Sequence, residues 1–423
     1  MKKIAKLSLV AAVAVAGLTT ANAQPLEEAI KNVDVSGSVV YRYNDYNNNE
    51  GDTTGNVNHY KVALNLSSKV NEDVKFNSRF IVGGADSGFA TLDSSDTGDQ
   101  NVDVTLSNAY FGYTGIANTT VNVGKQGLTT PWTVAVDSDG NEQTGTGILA
   151  LSNVGPVTLA AAYFNQTNLN NSLDASIGGF AEKAGDTIAP TAVKGAVLDG
   201  SEDIATVGVI GVAGPVTLDG WYLDAQDKFD SYTVGAKSSL ELSGVKVGVD
   251  ARYASLSFDK DVAVALKNVV SANGQAEEDN SMAKLVLTAD AGLIDGKLAY
   301  AMTGKEGGLT ALDIDATTTL LGWNMTSNGK ADADYIQAVV GVDILSNLNL
   351  SANYGIMEYL AAANDTTEVE EEEVYAQLLY KMSKNLTSYA RFGTYTKEVS
   401  EVGTASQDIN DDTRGRIQVE YTF

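Results

Sequence analysis

The sequence contains no cysteine, one histidine and only five prolines among its 423 residues. The lack of cysteine excludes a disulfide framework and thiol chemistry. The single histidine, His59, belongs to no recognisable acid–serine–histidine arrangement, and neither a glycine-rich phosphate loop nor a zinc-ligand spacing occurs. We therefore predict no catalytic residue, no motif-bound metal and no enzymatic activity, with His59 as a surface residue. A barrel-embedded hydrolase would need His59 or a carboxylate as its base.

Basic residues are also scarce. Lys and Arg number 28 against 54 Asp and Glu, so the formal net charge is −26 at neutral pH. Binding to nucleic acid requires a basic surface, and the charge argues against such a partner. Beyond the N-terminal segment, the sequence lacks an apolar run of the roughly 20 residues that cross a bilayer as a helix.

The first 23 residues have the pattern of a cleavable export signal. Residues 1–6 are basic, residues 7–18 are apolar, and Ala21-Asn22-Ala23 supplies a small-x-small cleavage site. The apolar segment is too short for a membrane helix. We expect residues 1–23 to be removed and residues 24–423 to form one exported domain. Loss of the three leader lysines moves the formal charge from −26 to −29.

The last ten residues alternate as a strand with one apolar and one polar face. The apolar face consists of Ile417, Val419, Tyr421 and Phe423. Strands that close outer-membrane barrels end in this way, with an aromatic residue at the last position. We therefore interpret these four residues as an assembly signal. A single strand of this kind is also compatible with a soluble β-sandwich, so the choice between the two folds depends on the rest of the chain.

Similar alternation recurs along the chain, and short turns alternate with long, mostly acidic loops. The pattern predicts 18 strands, at 33–43, 59–67, 74–82, 104–114, 119–126, 147–152, 157–165, 204–212, 216–225, 231–242, 245–256, 281–289, 297–303, 334–342, 348–358, 371–381, 386–396 and 413–423. Short turns on the side of both termini, with long loops opposite, are typical of a transmembrane antiparallel β-barrel. The segments 166–203 and 304–333 leave the count open, and 16 strands is the alternative.

The competing fold is a secreted all-β protein with a dry core. The polar strand faces carry Arg, Lys, Glu, Asn, Gln, Ser and Thr at mid-strand, where burial without partners is costly. A water-filled lumen removes that cost. The 41 glycines and 19 tyrosines fit tight turns and aromatic membrane interfaces. The polar faces therefore favour the all-β transmembrane barrel.

Several segments resemble one known family. Residues 25–37, running on to Tyr41-Arg42-Tyr43, are similar to the mature start of the major outer membrane porins of campylobacter-type bacteria. The region of the third loop is similar too, at 123–126, Trp132, 145–147 and 157–161. The resemblance implies a homotrimeric general-diffusion porin of 18 strands, surrounded by outer-membrane lipid, whose third loop folds into the pore. The loops 166–203 and 257–280 match no pattern that assigns them a partner.

A pore of this kind needs charge across its narrowest point. Strand parity predicts a basic wall of Arg42, Lys61, Arg79 and Arg416, from the first three strands and the last, which are neighbours in a closed barrel. Arg391 joins them if its strand face is set by Tyr389. An inward Lys125 requires a bulge near Gly124, because its parity matches the apolar Val121 and Val123.

Acidic residues of the third loop, 127–146, are predicted to face this wall. The loop carries Asp137, Asp139 and Glu142 near Trp132, and folded inward it would narrow the wide lumen of 18 strands. The alternative is that each Arg or Lys pairs with a lumen carboxylate only to hold the wall together. A divalent cation such as calcium in the acidic lumen stays open, although the spacing of a calcium-loop motif is missing.

The sequence thus predicts an outer-membrane channel for small hydrophilic solutes and ions. Its acidic balance favours cations near the entrance. The alternative is a structural or adhesive barrel of the outer membrane that presents acidic surface loops, such as the run 368–373.

Overall fold

The computed structural model describes residues 33–49, 53–84, 87–93, 102–169, 198–263, 277–361, 366–400 and 406–423. The predicted signal peptide, residues 1–23, and the segment that follows it lie outside the described residues. Most of the loop 166–203 and about half of the loop 257–280 do so too.

Strands account for most of the described chain. They are β1 (Val33–Asn48), β2 (Thr53–Lys69), β3 (Val74–Gly83), β4 (Ala90–Asp93), β5 (Asp103–Tyr113), β6 (Thr119–Gly127), β7 (Thr144–Val154), β8 (Val157–Thr167), β9 (Ile204–Ala213), β10 (Val216–Ala225), β11 (Phe229–Leu242), β12 (Val245–Phe258), β13 (Asp279–Asp290), β14 (Ile294–Thr303), β15 (Ala331–Leu345), β16 (Leu348–Leu360), β17 (Glu368–Lys381), β18 (Leu386–Ser400) and β19 (Gln407–Thr422). Within the described residues, no helix is both long and apolar enough to cross a bilayer.

The strands form one closed antiparallel ring. Each strand apart from β4 pairs with its neighbours around the ring, where β3 pairs with β5, and β19 pairs with β1 over Ser38 to Asn48, which closes the sheet. The short β4 extends the position of β3, because both pair with β2 at successive heights. The 19 segments therefore occupy 18 strand positions, which confirms the predicted 18-stranded barrel and excludes the count of 16.

The predicted strand positions agree with the structure, and the differences lie at the outer ends. The strand 216–225 was placed at its observed bounds, whereas β1 and β2 run far into the predicted loop 44–58. That hairpin is polar and lacks the apolar alternation on which the prediction depended. The strand β4 falls inside the predicted loop 83–103.

The two faces of the barrel differ as the alternation requires. Apolar side chains point outward and are exposed on the isolated chain, as in Val104, which is 68% exposed, and Phe392, which is 65% exposed. Residues directly opposite each other on neighbouring strands share a face. Arg42, on the inner face of β1, is only 5% exposed, so the interior is not an open tube of water at that height.

Buried apolar clusters also lie on the inner face. One cluster joins β8 to β12 with the segments near residues 128–132 and 309–312, and it includes Trp132, Phe164, Leu223, Leu256 and Leu312. The other joins β14 to β18 with residues near 320–325, and it includes Tyr335, Met357 and Tyr359. Both clusters pack loop residues against buried residues of the strands.

The C-terminal residue completes the closure. Phe423 N–H donates to the Gly37 carbonyl at 3.0 Å, and Gly37 N–H donates to the Phe423 carbonyl at 3.0 Å. The Phe423 ring stacks on Tyr421, with ring centroids 5.9 Å apart. A Cβ on residue 37 would lie 2.1 Å from the Ala63 carbonyl oxygen and 2.8 Å from the Phe423 ring, so only glycine fits there.

Deletion of Phe423 should prevent barrel closure, because it removes two ladder hydrogen bonds to β1 and the terminal aromatic ring. We expect a loss of heat-modifiable, folded protein from the outer-membrane fraction, measured by gel mobility with and without boiling. Phe392→Ala is the matched control, since it removes a more exposed outward aromatic from the adjacent strand and should assemble normally. Normal assembly without Phe423 would contradict the prediction.

Candidate functional site

Basic side chains of the inner face come together where the ring closes. Arg42 lies on β1, Lys61 on β2, Arg79 on β3 and Arg416 on β19. Arg391, on β18, lies directly opposite Arg416, whereas its neighbour Phe392 is 65% exposed on the outer face. The structure therefore places five of the six residues of the predicted basic wall on one continuous inner surface.

The sixth residue, Lys125, lies on the other face. It sits opposite Ala109, and the register across Gly124 is unbroken on both sides of β6. Its ammonium donates to the Leu106 carbonyl at 2.9 Å, beside an outward, exposed leucine. Inclusion of Lys125 in the pore wall was wrong, because the bulge that would turn it inward is missing from this fully described strand.

Glu142 is the centre of the tightest group of charges. It lies in the 128–143 loop, the observed extent of the predicted third loop, and its carboxylate is 2.7 Å from Lys61 Nζ and 2.8 Å from Arg79 Nη2. Arg79 Nε donates to both carboxylate oxygens at 3.0 Å. Burial alone would raise the pKa of Glu142, but hydrogen bonds from Arg79 and the charge of Lys61 outweigh it and hold the pKa below its usual range.

Asp139 bridges two further residues of the wall. Its carboxylate accepts from Arg42 Nη1 at 3.0 Å and from Arg416 Nη1 at 3.3 Å. Arg42 also donates to the Ser138 carbonyl at 2.7 Å, which fixes the loop backbone beside β1. The Asp139 side chain is 44% exposed, whereas Glu142 is 2% exposed. Of the two carboxylates, Asp139 is therefore the one that solvent reaches.

Asp137 has a different role from the other two acids. Its carboxylate accepts from the backbone N–H of Asn141 at 2.8 Å and from the Asn141 amide at 3.0 Å. This turn needs Gly140, whose φ is +85° and whose absent Cβ would collide with the Phe89 ring. Asp137 thus stabilises the bend that presents Asp139 through hydrogen bonds within the loop itself.

Trp132 connects the same loop to β11, on another part of the ring. The indole is fully buried, and its Nε1 donates to Ser231 Oγ on β11 at 2.7 Å. Its carbonyl accepts from the N–H of Leu312 at 2.8 Å. One loop therefore makes contact with β1, β2, β3 and β19 near residues 138–142 and with β11 near residue 132.

A second loop, residues 304–330 between β14 and β15, packs on the first. Gln143 Nε2 donates to the Leu312 carbonyl at 3.1 Å, and Thr318 donates to the Pro131 carbonyl through its backbone and its hydroxyl. Asp315 accepts from Ser138 through the backbone and the hydroxyl. The sequence signalled this loop only by the apolar content of 309–323, and we predicted no contact for it.

The second loop is held on its other side by β17 and β19. Glu373 accepts from the N–H groups of Trp323 at 2.9 Å and Asn324 at 2.8 Å, and Arg414 donates to the Asn324 side chain at 2.6 Å. Glu371 accepts from Tyr359 at 2.6 Å. Part of the acidic run 368–373 therefore faces inward, because Glu371 and Glu373 are only 3% and 2% exposed.

Four aspartates from the two loops lie near one another. They are Asp137, Asp139, Asp313 and Asp315. Asp313 is fully buried, and burial and the neighbouring negative charges raise its pKa to about 7, against a hydrogen bond from the backbone of Asp315 that lowers it. Across the described ranges, no group of three or more acidic or histidine side chains is arranged to hold a metal ion.

The histidine is not the surface residue that we predicted. His59 is half-buried and packs edge-on against Phe89, with ring centroids 6.1 Å apart. Phe89 in turn lies against the loop turn at Gly140.

Comparison with known proteins gives a family and a fold. The family model described as Campylobacter major outer membrane protein matches residues 1–423, the whole chain. No curated protein sequence matches it.

Solved structures with a similar fold have low sequence identity to this chain. OccK2 (OpdF) of Pseudomonas aeruginosa is 14% identical, with a TM-score of 0.69 over 92% of this chain and 98% of that one. OccAB3 of Acinetobacter baumannii is 15% identical, with a TM-score of 0.69 over 93% and 100% of the two chains. OpdL of Pseudomonas aeruginosa is 16% identical, with a TM-score of 0.67 over 93% and 99%.

Asp313→Asn should remove part of the pH dependence of stability. An acid with a raised folded-state pKa is increasingly destabilising as pH rises from its unfolded value, near 4, through about 7. The melting temperature of the wild type in detergent should therefore fall between pH 5 and pH 8 by more than that of Asp313→Asn.

The control for this comparison is Asp227→Asn, which makes the same change of charge at an exposed turn. It should retain the wild-type pH dependence. Equal pH dependence in Asp313→Asn and wild type would show that the buried carboxyl group does not couple to folding.

Proposed function

The chain belongs to the Campylobacter major outer membrane protein family, and on that premise we propose that it is a porin, a passive water-filled channel through the outer membrane for small hydrophilic solutes and ions. The observation that carries the proposal is the bridge from Asp139 and Glu142 to four basic side chains of the ring wall. Paired charges of opposite sign on the wall of a water-filled path create a local field that orients polar solutes and disfavours apolar ones.

We propose that the 128–143 loop folds into the barrel and forms the constriction. Its bonds support this, because the loop contacts β1, β2, β3 and β19 at one end and β11 at the other. In the ring, β11 is separated from β1 by eight strand positions in one direction and by eight in the other. A segment that reaches both walls through their inward side chains has to pass through the enclosed space.

The open path then lies to one side of the lumen. The apolar cluster with Trp132 and Leu312 occupies the side lined by β8 to β12. Polar cavities lie elsewhere, one of about 180 Å³ between the loops and β14 to β19, and one of about 190 Å³ beside Asn65 and Arg79. The second apolar cluster covers part of β14 to β18, so solutes should follow the polar side chains that line these two cavities.

The two carboxylates of the bridge take different parts in this proposal. Glu142 is buried and saturated by Arg79 and Lys61, so it holds the loop in place, in line with the alternative that such pairs are structural. Asp139 is 44% exposed and accepts from two guanidinium groups, so it supplies the field that a passing solute experiences.

Cation preference is the selectivity that we propose. The formal charge of −26, which becomes −29 if the three leader lysines are lost, should concentrate cations at the entrance. Salt would weaken this attraction beyond a Debye length of about 8–10 Å. The proposal extends to export through the predicted signal peptide, assembly as a homotrimer and contact of the outward apolar face with lipid.

Asp139→Asn should reduce the ratio of cation to anion permeability. The interaction of two unit charges about 4 Å apart in water, about 1 kcal/mol, sets an upper limit of about fivefold. The measurement is the reversal potential of single channels in a planar bilayer under a salt gradient.

Asp137→Asn is the matched control, with the same charge change in the same loop at a side chain that is 6% exposed and bonded to Asn141. It should alter selectivity little. Equal effects of the two substitutions would place the selective field elsewhere. Folded wild-type protein without conductance would favour a structural or adhesive barrel over a channel.

A further inference from the structure

We infer that the 180 Å³ cavity beside Arg391 is a recognition site for small solutes with a planar body and a carboxylate group. The cavity lies between the two loops and the wall from β14 to β19. The inference rests on the proposed channel function and adds a solute class to it.

The first observation is an excess of positive charge, since three basic residues and two acidic residues line the cavity. Arg391 and Arg416 lie directly opposite each other on β18 and β19, and like charges in such a pair repel. Arg391 Nε and Nη2 donate to the neutral Gln377 Oε1 at 3.0 and 2.7 Å. Arg416 donates to Asn44 at 2.8 Å and shares Asp139 with Arg42. Asp139 thus serves two of these guanidinium groups, whereas the hydrogen-bond partner of Arg391 is neutral and the nearby charge of Glu373 makes no hydrogen bond to it.

The acidic groups that line the cavity are already engaged. Glu373 is 2% exposed and accepts from the N–H groups of Trp323 and Asn324. Asp139 is bound by Arg42 and Arg416. Lys297, a third basic residue of the lining, donates to Gln337 Oε1 at 3.0 Å, again a neutral acceptor. Basic residues outnumber acidic ones in the lining, and the acids have their donors.

The second observation is the set of aromatic rings around Arg391. Its guanidinium carbon is 4.9 Å from the Tyr375 ring, 5.0 Å from the Trp323 ring and 5.4 Å from the Tyr389 ring. All three rings line the cavity. Trp323 comes from the second loop and the two tyrosines from the barrel wall, so the aromatic surface exists only while that loop is docked.

These features specify the solute. A guanidinium group binds a carboxylate through parallel N–H donors, and it does so more strongly than it binds a neutral acceptor. Flat aromatic faces favour a planar, delocalised body over a puckered one. A small aromatic or conjugated carboxylate satisfies both requirements, whereas a neutral amide of the same shape satisfies only the second. This local site is independent of the sign of the overall ion selectivity.

The test uses benzoate as the probe on single channels of the full protein in a planar bilayer. Benzoate should reduce the open-channel current of the wild type in a saturable way, and benzamide should not. Cyclohexanecarboxylate should block more weakly than benzoate. Arg391→Gln should raise the half-blocking concentration of benzoate by about tenfold or more, because it removes a charge-assisted hydrogen bond.

Two further variants make the test specific. Trp323→Leu should reduce the difference between the half-blocking concentrations of benzoate and cyclohexanecarboxylate. Lys237→Gln removes another inner-face cation, on β11 and paired with Asp250 at 2.9 Å, and should leave the block unchanged. Heat-modifiable gel mobility verifies that each variant is folded.

The possible failures are distinguishable. If the wild type conducts but benzoate does not block it, the recognition site is overturned and the channel proposal stands. The same holds if Arg391→Gln and Lys237→Gln shift the half-blocking concentration of benzoate equally. If Arg391→Gln fails to fold, Trp323→Leu decides. A ratio of the half-blocking concentrations of benzoate and cyclohexanecarboxylate equal to that of the wild type overturns the site. Absence of conductance in the folded wild type overturns the channel itself.

Discussion

The burial of the Glu142 carboxylate is the constraint on which the interior depends. A carboxylate that is 2% exposed is stable only with charged partners, and Lys61 and Arg79 provide them from two neighbouring strands. Removal of one partner from such a buried group costs about 3–5 kcal/mol. The 128–143 loop is therefore fixed to the wall at the point where the ring closes, and Asp139 reaches Arg42 and Arg416 because Glu142 is anchored three residues away.

The second loop depends on the first. Leu312 and Thr318 bond to the backbone at Trp132 and Pro131, and Asp315 bonds to Ser138. Trp323 and Asn324 then bond to Glu373 on the far side. The two loops together bury apolar surface against β8 to β12 and against β14 to β18, and polar side chains line the cavities that remain. The interior can therefore be well packed although many charged residues lie at mid-strand, because loop residues pair with these charges.

The strands could be predicted from the sequence because an apolar outer face and a more polar inner face impose a period of two. The polar ends of β1 and β2 lack that contrast, and they were predicted as loop. Arg416 and Arg42 were placed inward by parity alone. For Lys125, parity with Val121 and Val123 indicated the outer face, and we placed it inward on the resemblance of the surrounding segment. The structure agrees with the parity.

Contacts between loops could not be predicted in the same way. The acids of the third loop were recognised, but their partners depend on three-dimensional placement, so the separate roles of Asp137, Asp139 and Glu142 appear only in the structure. The contact of residues 304–330 with the first loop could not be predicted from the sequence. Its hydrogen bonds to Pro131 and Trp132 involve backbone groups, which every residue carries, so no residue type indicates them.

The account predicts that the 128–143 loop narrows the conducting path, and a single introduced cysteine tests this most directly. The chain has no cysteine, so Ser138→Cys alone would react with a charged thiol reagent. Ser138 is exposed, lies between Arg42 and Asp315, and lines the 180 Å³ cavity. Modification should reduce single-channel conductance in steps, whereas modification of Thr158→Cys in the exposed β7–β8 hairpin should not. Complete modification at residue 138 with unchanged conductance would contradict the account.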